Sequence, residues 1–227
     1  GYTTKNAPQK AIIEITKTDK ETNNVLSGAE YEIYAAEDIS LNGDLKYTKD
    51  QLVDTVITNE EGKAESKQLY LGKYYVVEKT APYGYVLNTE RKEITLNYKG
   101  QNVLTFTENM EFSNIAQKGT ITISKYGEVL NNVDENDGVY TPEYAVKPLQ
   151  NAVYDIIANE DIYTADGTKR ASEGEIVDTV TTGEDGKATS KELYLGNYKI
   201  VEKTAPYGMV NNAEPQYVTL AYAGQNE

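Results

Sequence analysis

The sequence predicts an all-β chain of two sandwiches joined end to end. Three observations lead there: the second half repeats the first, each half consists of short runs rich in Tyr, Val, Ile and Thr, and turn signals separate the runs. "LYLGKYYVVEKTAPYG" at residues 69–84 returns as "LYLGNYKIVEKTAPYG" at residues 193–208, identical at 13 of 16 positions. Asp54-Thr55-Val56 recurs as Asp178-Thr179-Val180, and Gly100-Gln101-Asn102 as Gly224-Gln225-Asn226, both 124 residues on. The first runs are offset by less, "IEITK" against "ITISK" by 108 and "AEYEIY" against "AVYDII" by 123. The second copy therefore carries an insertion of roughly fifteen residues between Lys125 and Ala152.

The elements follow in order, about seven strands to a copy. "IEITK" opens as a strand whose alternate residues face inward. "GAEYEIY" follows, then residues 38–50, where a short turn of helix is expected. "DTV" and the Glu61-Gly62 turn lead to the long strand ending in "EKTAPYG". "VLTFTENMEFSN" closes the first copy. The insertion, "NNVDENDGVYTPEYAVKP", reads as a loop from its Asn, Asp, Gly and Pro content. Residues 1–10 read as the tail of a preceding domain or a linker, 11–116 as the first domain, and 117–227 as a second that stops where its last strand is due. The junction "NIAQKG" is too short for a flexible tether.

Composition excludes several functions. With 22 Lys and Arg against 36 Asp and Glu, the net charge is -14, which disfavours nucleic acid as a partner. The absence of Cys and His removes disulfides, thiol nucleophiles, imidazole bases and the usual zinc ligands. No cofactor, metal or membrane insertion is expected, and no turnover enzyme. Asn132, Asp134, Asn136 and Asp137 approach a calcium loop, but the glycine falls one place late. No carboxylate pair stands out by spacing as in a glycosidase. The 20 tyrosines read as strand residues, with an exposed subset as a possible contact for protein or sugar.

Strand phase singles out three polar residues. Tyr74, Val76 and Glu78 share a face, as do Tyr198, Ile200 and Glu202. Ile13, Ile15 and Lys17 point together, and so do Ile121, Ile123 and Lys125. Met110, Phe112 and Asn114 complete the set. Left alone, a buried lysine, glutamate or asparagine each costs several kcal/mol. Together they suggest chemistry, because desolvation favours a neutral amine and a neutral acid. The amine then serves as a nucleophile toward the Asn114 carboxamide. Glu78 polarises the amide carbonyl and carries protons to the leaving ammonia. The product is a Lys-Asn isopeptide bond formed once. A structural ion pair of Lys17 with Glu78 is the plainer alternative.

"ITKTD", "GAEYEIY", "LYLGKYYVVEKTAPYGY" and "FSN" followed by "QKG" resemble the Cna B-type (SpaA-like) repeats of Gram-positive surface proteins and sortase-assembled pilins. The resemblance covers nearly the whole chain, twice, and implies prealbumin-like, Ig-like sandwiches. It implies Lys17 and Asn114 as the crosslinked pair with Glu78 as catalyst, and Lys125 with Glu202 in the second domain, where nothing corresponds to Asn114. It also implies a cell-wall-anchored, extracellular stalk or shaft module, whose partners are the neighbouring domains of its parent protein. The alternative is an adhesive module that contacts a host ligand through the insertion or a tyrosine-rich face. Lys147 in "AVKP" is a lesser candidate for sortase linkage. The chain is expected to be a monomer with Lys125 unbonded. Asn6, in phase with Tyr2 and Thr4, is a possible strand donor to the second domain of another molecule, giving head-to-tail chains.

Overall fold

A computed structural model describes residues 1–227. All its regular structure is strand, in two compact units, residues 1–117 with 223–227 and residues 118–222. The first unit holds β1 (Lys10–Asp19), β2 (Glu30–Ala35), β3 (Ile39–Leu41), β4 (Asp44–Tyr47), β5 (Leu52–Ile57), β6 (Lys63–Glu65), β7 (Leu69–Tyr70), β8 (Gly72–Thr80), β9 (Lys92–Leu96) and β10 (Thr105–Asn114). One sheet runs β5-β2-β8-β9, antiparallel throughout. The other centres on β1, with β6 and β7 antiparallel on one side and β10 parallel on the other.

Alternation makes these strands two-faced. Along β1 every second residue from Ala11 to Asp19 is buried, and Ile13, Ile15 and Lys17 are wholly so. Ala11, Ile13 and Ile15 pack with Tyr31 and Ile33 of β2, Tyr74 and Val76 of β8, and Met110 and Phe112 of β10. Burying an Ile or Phe of this kind contributes about 1.5–3 kcal/mol relative to exposure. The rings of Tyr31 and Phe112, 4.7 Å apart between centroids, close the end of the core where Lys17 lies.

The second unit holds β11 (Lys118–Gly119), β12 (Thr122–Ser124), β13 (Tyr126–Asn136), β14 (Val139–Pro148), β15 (Val153–Ala158), β16 (Ile162–Tyr163), β17 (Lys169–Ala171), β18 (Ile176–Thr181), β19 (Lys187–Thr189), β20 (Leu193–Tyr194), β21 (Gly196–Thr204) and β22 (Gln216–Leu220). The sheet β18-β15-β21-β22 repeats β5-β2-β8-β9. Opposite it, β11 pairs only with β20 and β12 only with β19. No parallel strand flanks β12 as β10 flanks β1.

Two sequence expectations fail for one reason. Residues 38–50 hold no helical turn but the β3–β4 hairpin, and the insertion is no loop but the β13–β14 hairpin. Each turns on two residues of positive φ, Asn42-Gly43 (51° and 86°) and Asp137-Gly138 (50° and 78°). That pair of values belongs to the two-residue hairpin turn that suits the natural strand twist, and Asn-Gly and Asp-Gly are its usual sequences. The glycine that came late for a calcium loop is thus a turn residue. Strand number also exceeds seven per unit, because of these hairpins and because the edge beside β1 is split into β6 and β7.

Candidate functional site

Lys17, Glu78 and Asn114 come together from three strands across the sandwich. Lys17 is inward on β1, and parallel pairing sets it against Phe112, two residues before Asn114 on β10. Glu78 comes from the facing sheet, where β8 pairs it with Tyr31. The Lys17 and Glu78 side chains are both fully buried, and Asn114 is 2% exposed. Lys17 Nζ lies 3.1 Å from Glu78 Oε1. Asn114 donates from Nδ2 to Glu78 Oε2 at 2.8 Å and to the Val86 carbonyl at 2.6 Å. One carboxylate therefore bridges the lysine nitrogen and the amide nitrogen. It faces the amide nitrogen rather than the carbonyl that it was expected to polarise, and Asn114 Oδ1 is buried with no hydrogen-bond partner.

The surroundings hold the carboxylate in place. Tyr31 donates its hydroxyl to Glu78 Oε1 at 3.4 Å, and the Asn88 backbone N–H donates to Oε2 at 2.8 Å. Burial is the largest influence on the Lys17 amine and holds it below the usual lysine value, against the opposing pull of Glu78. Burial, and then the charge of Glu78, push the Tyr31 hydroxyl upward, so it stays a donor. A surface cavity of about 320 Å³ has Asn88, Glu90, Ser113 and Asn114 in its wall.

The second unit repeats half of this. Lys125 Nζ lies 3.0 Å from Glu202 Oε1, and the Asn212 backbone N–H donates to Glu202 Oε2 at 2.6 Å, as Asn88 does to Glu78. Tyr154 stands opposite Glu202 in the ladder, as Tyr31 does opposite Glu78. The Lys125 side chain, however, is 18% exposed. Burial pulls its amine down, but the Glu202 carboxylate and Tyr154 outweigh that, and the net shift is upward. No carboxamide stands where Asn114 stands in the first unit.

Other sequence candidates lie apart. Asn6 is exposed in the irregular residues 1–9, and Lys147 is exposed on β14. No three acidic side chains converge as a metal cage requires. Sequence reasoning passed over Tyr31 and Asn88, and read Gly62 only as a turn residue. The repeat held a signal for each, since Tyr31 matches Tyr154, Asn88 matches Asn212 and Gly62 matches Gly186. A Cβ on Gly62, at φ 70°, would stand 2.7 Å from the Lys17 carbonyl oxygen; on Gly186 it would stand 2.6 Å from that of Lys125. Each glycine lets a turn press against the backbone that aims the lysine.

The family match covers both units. Residues 11–110 and 141–227 match the SpaA family, described as a prealbumin-like fold domain. The chain belongs to this family. β13 lies outside the matched residues. The trypsin-resistant surface T6 protein of Streptococcus pyogenes serotype M6 is 34% identical over 110 residues, which are 48% of this chain and 18% of that protein. The Bacillus anthracis TIE protein is 28% identical with a TM-score of 0.55, over 95% of this chain and 32% of that one. A streptococcal ancillary pilin aligns at 22% identity with a TM-score of 0.38, over 94% of this chain and 59% of that one. The chain thus spans less than two thirds of the length of each of these relatives.

Proposed function

We propose that this chain is a structural module of a Gram-positive surface protein, a stretch of stalk or pilus shaft, whose first domain ties its first strand to its last through a Lys17–Asn114 isopeptide bond. The observation that carries the reading is the dry contact of Lys17, Glu78 and Asn114, with one carboxylate between the two nitrogens. Membership of the SpaA family and likeness to the surface T6 protein support the extracellular setting.

The chemistry uses only these residues. Glu78 Oε1 takes a proton from the Lys17 ammonium, a transfer that burial favours because it removes two charges from a low dielectric. The neutral amine attacks the Asn114 carboxamide carbon. Glu78 then carries protons from the attacking nitrogen to the amide nitrogen that its Oε2 already faces. One C–N bond forms and one breaks. The two protons shed by the lysine ammonium leave with the amide nitrogen as ammonium, and the cavity beside Asn114 offers the exit.

The bond closes a loop of roughly a hundred residues, worth on the order of 4–5 kcal/mol if it acts as a disulfide does in the chain-entropy model. It also carries tension past the parallel β1–β10 ladder, whose hydrogen bonds would otherwise bear it alone. The test is a tryptic digest. A branched peptide joining the segment with Lys17 to that with Asn114, lost in Glu78→Gln, supports the reading; separate linear peptides from the natural chain refute it.

A further inference from the structure

The β13–β14 hairpin stands exposed along most of its length, and one of its two faces is apolar. Paired residues of an antiparallel ladder share a face. The register therefore sets Tyr126, Glu128 and Leu130 beside Pro148, Val146 and Tyr144. An alternation carried straight on would next bring Asn132 and Asp134 to this side. A β-bulge between Leu130 and Asn132 shifts the phase by one residue and brings Val133 and Glu135 there, opposite Pro142 and Tyr140. The apolar row thus continues along the ribbon. The other face carries Asn132, Asp134, Asn136, Thr141, Glu143 and Lys147, together with Gly127, Val129, Ala145 and Val139.

The apolar face lies open. Leu130 is 55% exposed, Tyr140 70%, Tyr144 62% and Val146 68%. An isolated two-stranded hairpin is marginal in water, and contiguous exposed apolar surface usually marks an interaction site. Glu128 and Glu135 stand within this face with no cation among its members. That arrangement decides the occupant. A second copy laid face to face would set glutamates among glutamates on chains of net charge -14. A partner bearing Lys or Arg would pair with the glutamates and lay its cations and alkyl stems on the tyrosine rings.

We propose that this face is a docking surface for a basic polypeptide segment. Tyr140 and Tyr144 are its rigid anchors, and Glu128 and Glu135 select for positive charge. Tyrosine suits the task, since it offers a large contact at low conformational cost. The proposal stands independently of the crosslink in the first domain, because the hairpin belongs to the second unit.

The test uses the full chain and an immobilised peptide array in which apolar content is fixed while net charge steps from acidic to basic, with a glycan array beside it. Binding that rises with basic charge, weakens with salt and falls about tenfold or more in Tyr140→Ser/Tyr144→Ser supports the proposal. Glu128→Lys/Glu135→Lys keeps the apolar row and should reverse the charge preference. Three results overturn it: no charge preference, binding to glycans but not to basic peptides, or self-association that the tyrosine variants abolish. An unchanged circular dichroism spectrum and an unchanged melting transition of the second domain report separately that each variant has folded.

Discussion

Lys17 and Lys125 occupy matching places in two copies of one sandwich, each about 3 Å from a matching glutamate, yet their amines shift in opposite directions. Strand β10 makes the difference. Met110 and Phe112 cover the end of the first core, and Asn114 supplies the amide beside the lysine. With a strand on both sides of β1, water is excluded and desolvation prevails over attraction to Glu78. β12 is paired on one side only, Lys125 stays partly wet, and attraction prevails. The lesson is that a lysine and a glutamate at 3 Å do not by themselves make a nucleophile. In the proposed chemistry, dryness and the third partner do.

The comparison breaks most visibly at Glu78. Glu78→Gln should leave Lys17 and Asn114 unlinked and cost the first domain about 4 kcal/mol, which for a domain of this size is roughly 15–30 °C in Tm by calorimetry. Glu202→Gln should leave the loss of one ammonia from the chain unaltered and move the second transition far less. A Glu78→Gln chain that still melts with the natural one would sever the link between acid and staple.

Glycine substitutions sharpen it next. Gly62→Ala and Gly186→Ala force the same clash and the same positive φ, so each should cost about 2 kcal/mol by denaturant titration. The stapled first domain should nevertheless remain folded at denaturant concentrations that unfold the second.

A smaller effect concerns pH. Asn114→Leu removes the amide but keeps the site dry, so Lys17 stays a free amine with its value held low. Between that lowered value and the ordinary lysine value of about 10.4, the unfolded chain binds the proton and the folded chain does not, so the first domain gains stability as pH rises through this window. Lys125 is shifted the other way. Its contribution is complete below the ordinary value and is lost only as pH rises past its raised one. Opposite slopes for the two domains in pH-dependent melting are the expected outcome, and parallel slopes contradict it.

The smallest effect expected is on a denaturing gel. The natural chain should run as one band with Lys125 open to amine-reactive label. A ladder abolished by Asn6→Ala would instead show strand donation between molecules.

How much was legible in the sequence follows from physical scale. The inward placement of Lys17, Glu78 and Asn114 was readable because period-two alternation is local, and because Ile13, Ile15, Val76 and Phe112 share their phase. That Asn114 Nδ2, not its carbonyl oxygen, faces Glu78 was not readable, since it depends on how two sheets meet. The hairpins were missed for a different reason. Asn, Asp, Gly and Pro suggested a loop for the insertion by composition, and residues 38–50 were read as a short turn of helix, while Asn42-Gly43 and Asp137-Gly138 carried a more specific signal as dipeptides. In the insertion the bulge after Leu130 also broke the alternation that would have revealed β13.

The most direct measurement is the intact mass of the folded chain. Two matching lysines, only one of them dry and beside a carboxamide, predict a mass lower than that of the sequence by one ammonia. A mass equal to the sequence would contradict the crosslink in the first domain, and the loss of two would contradict the contrast drawn between Lys17 and Lys125.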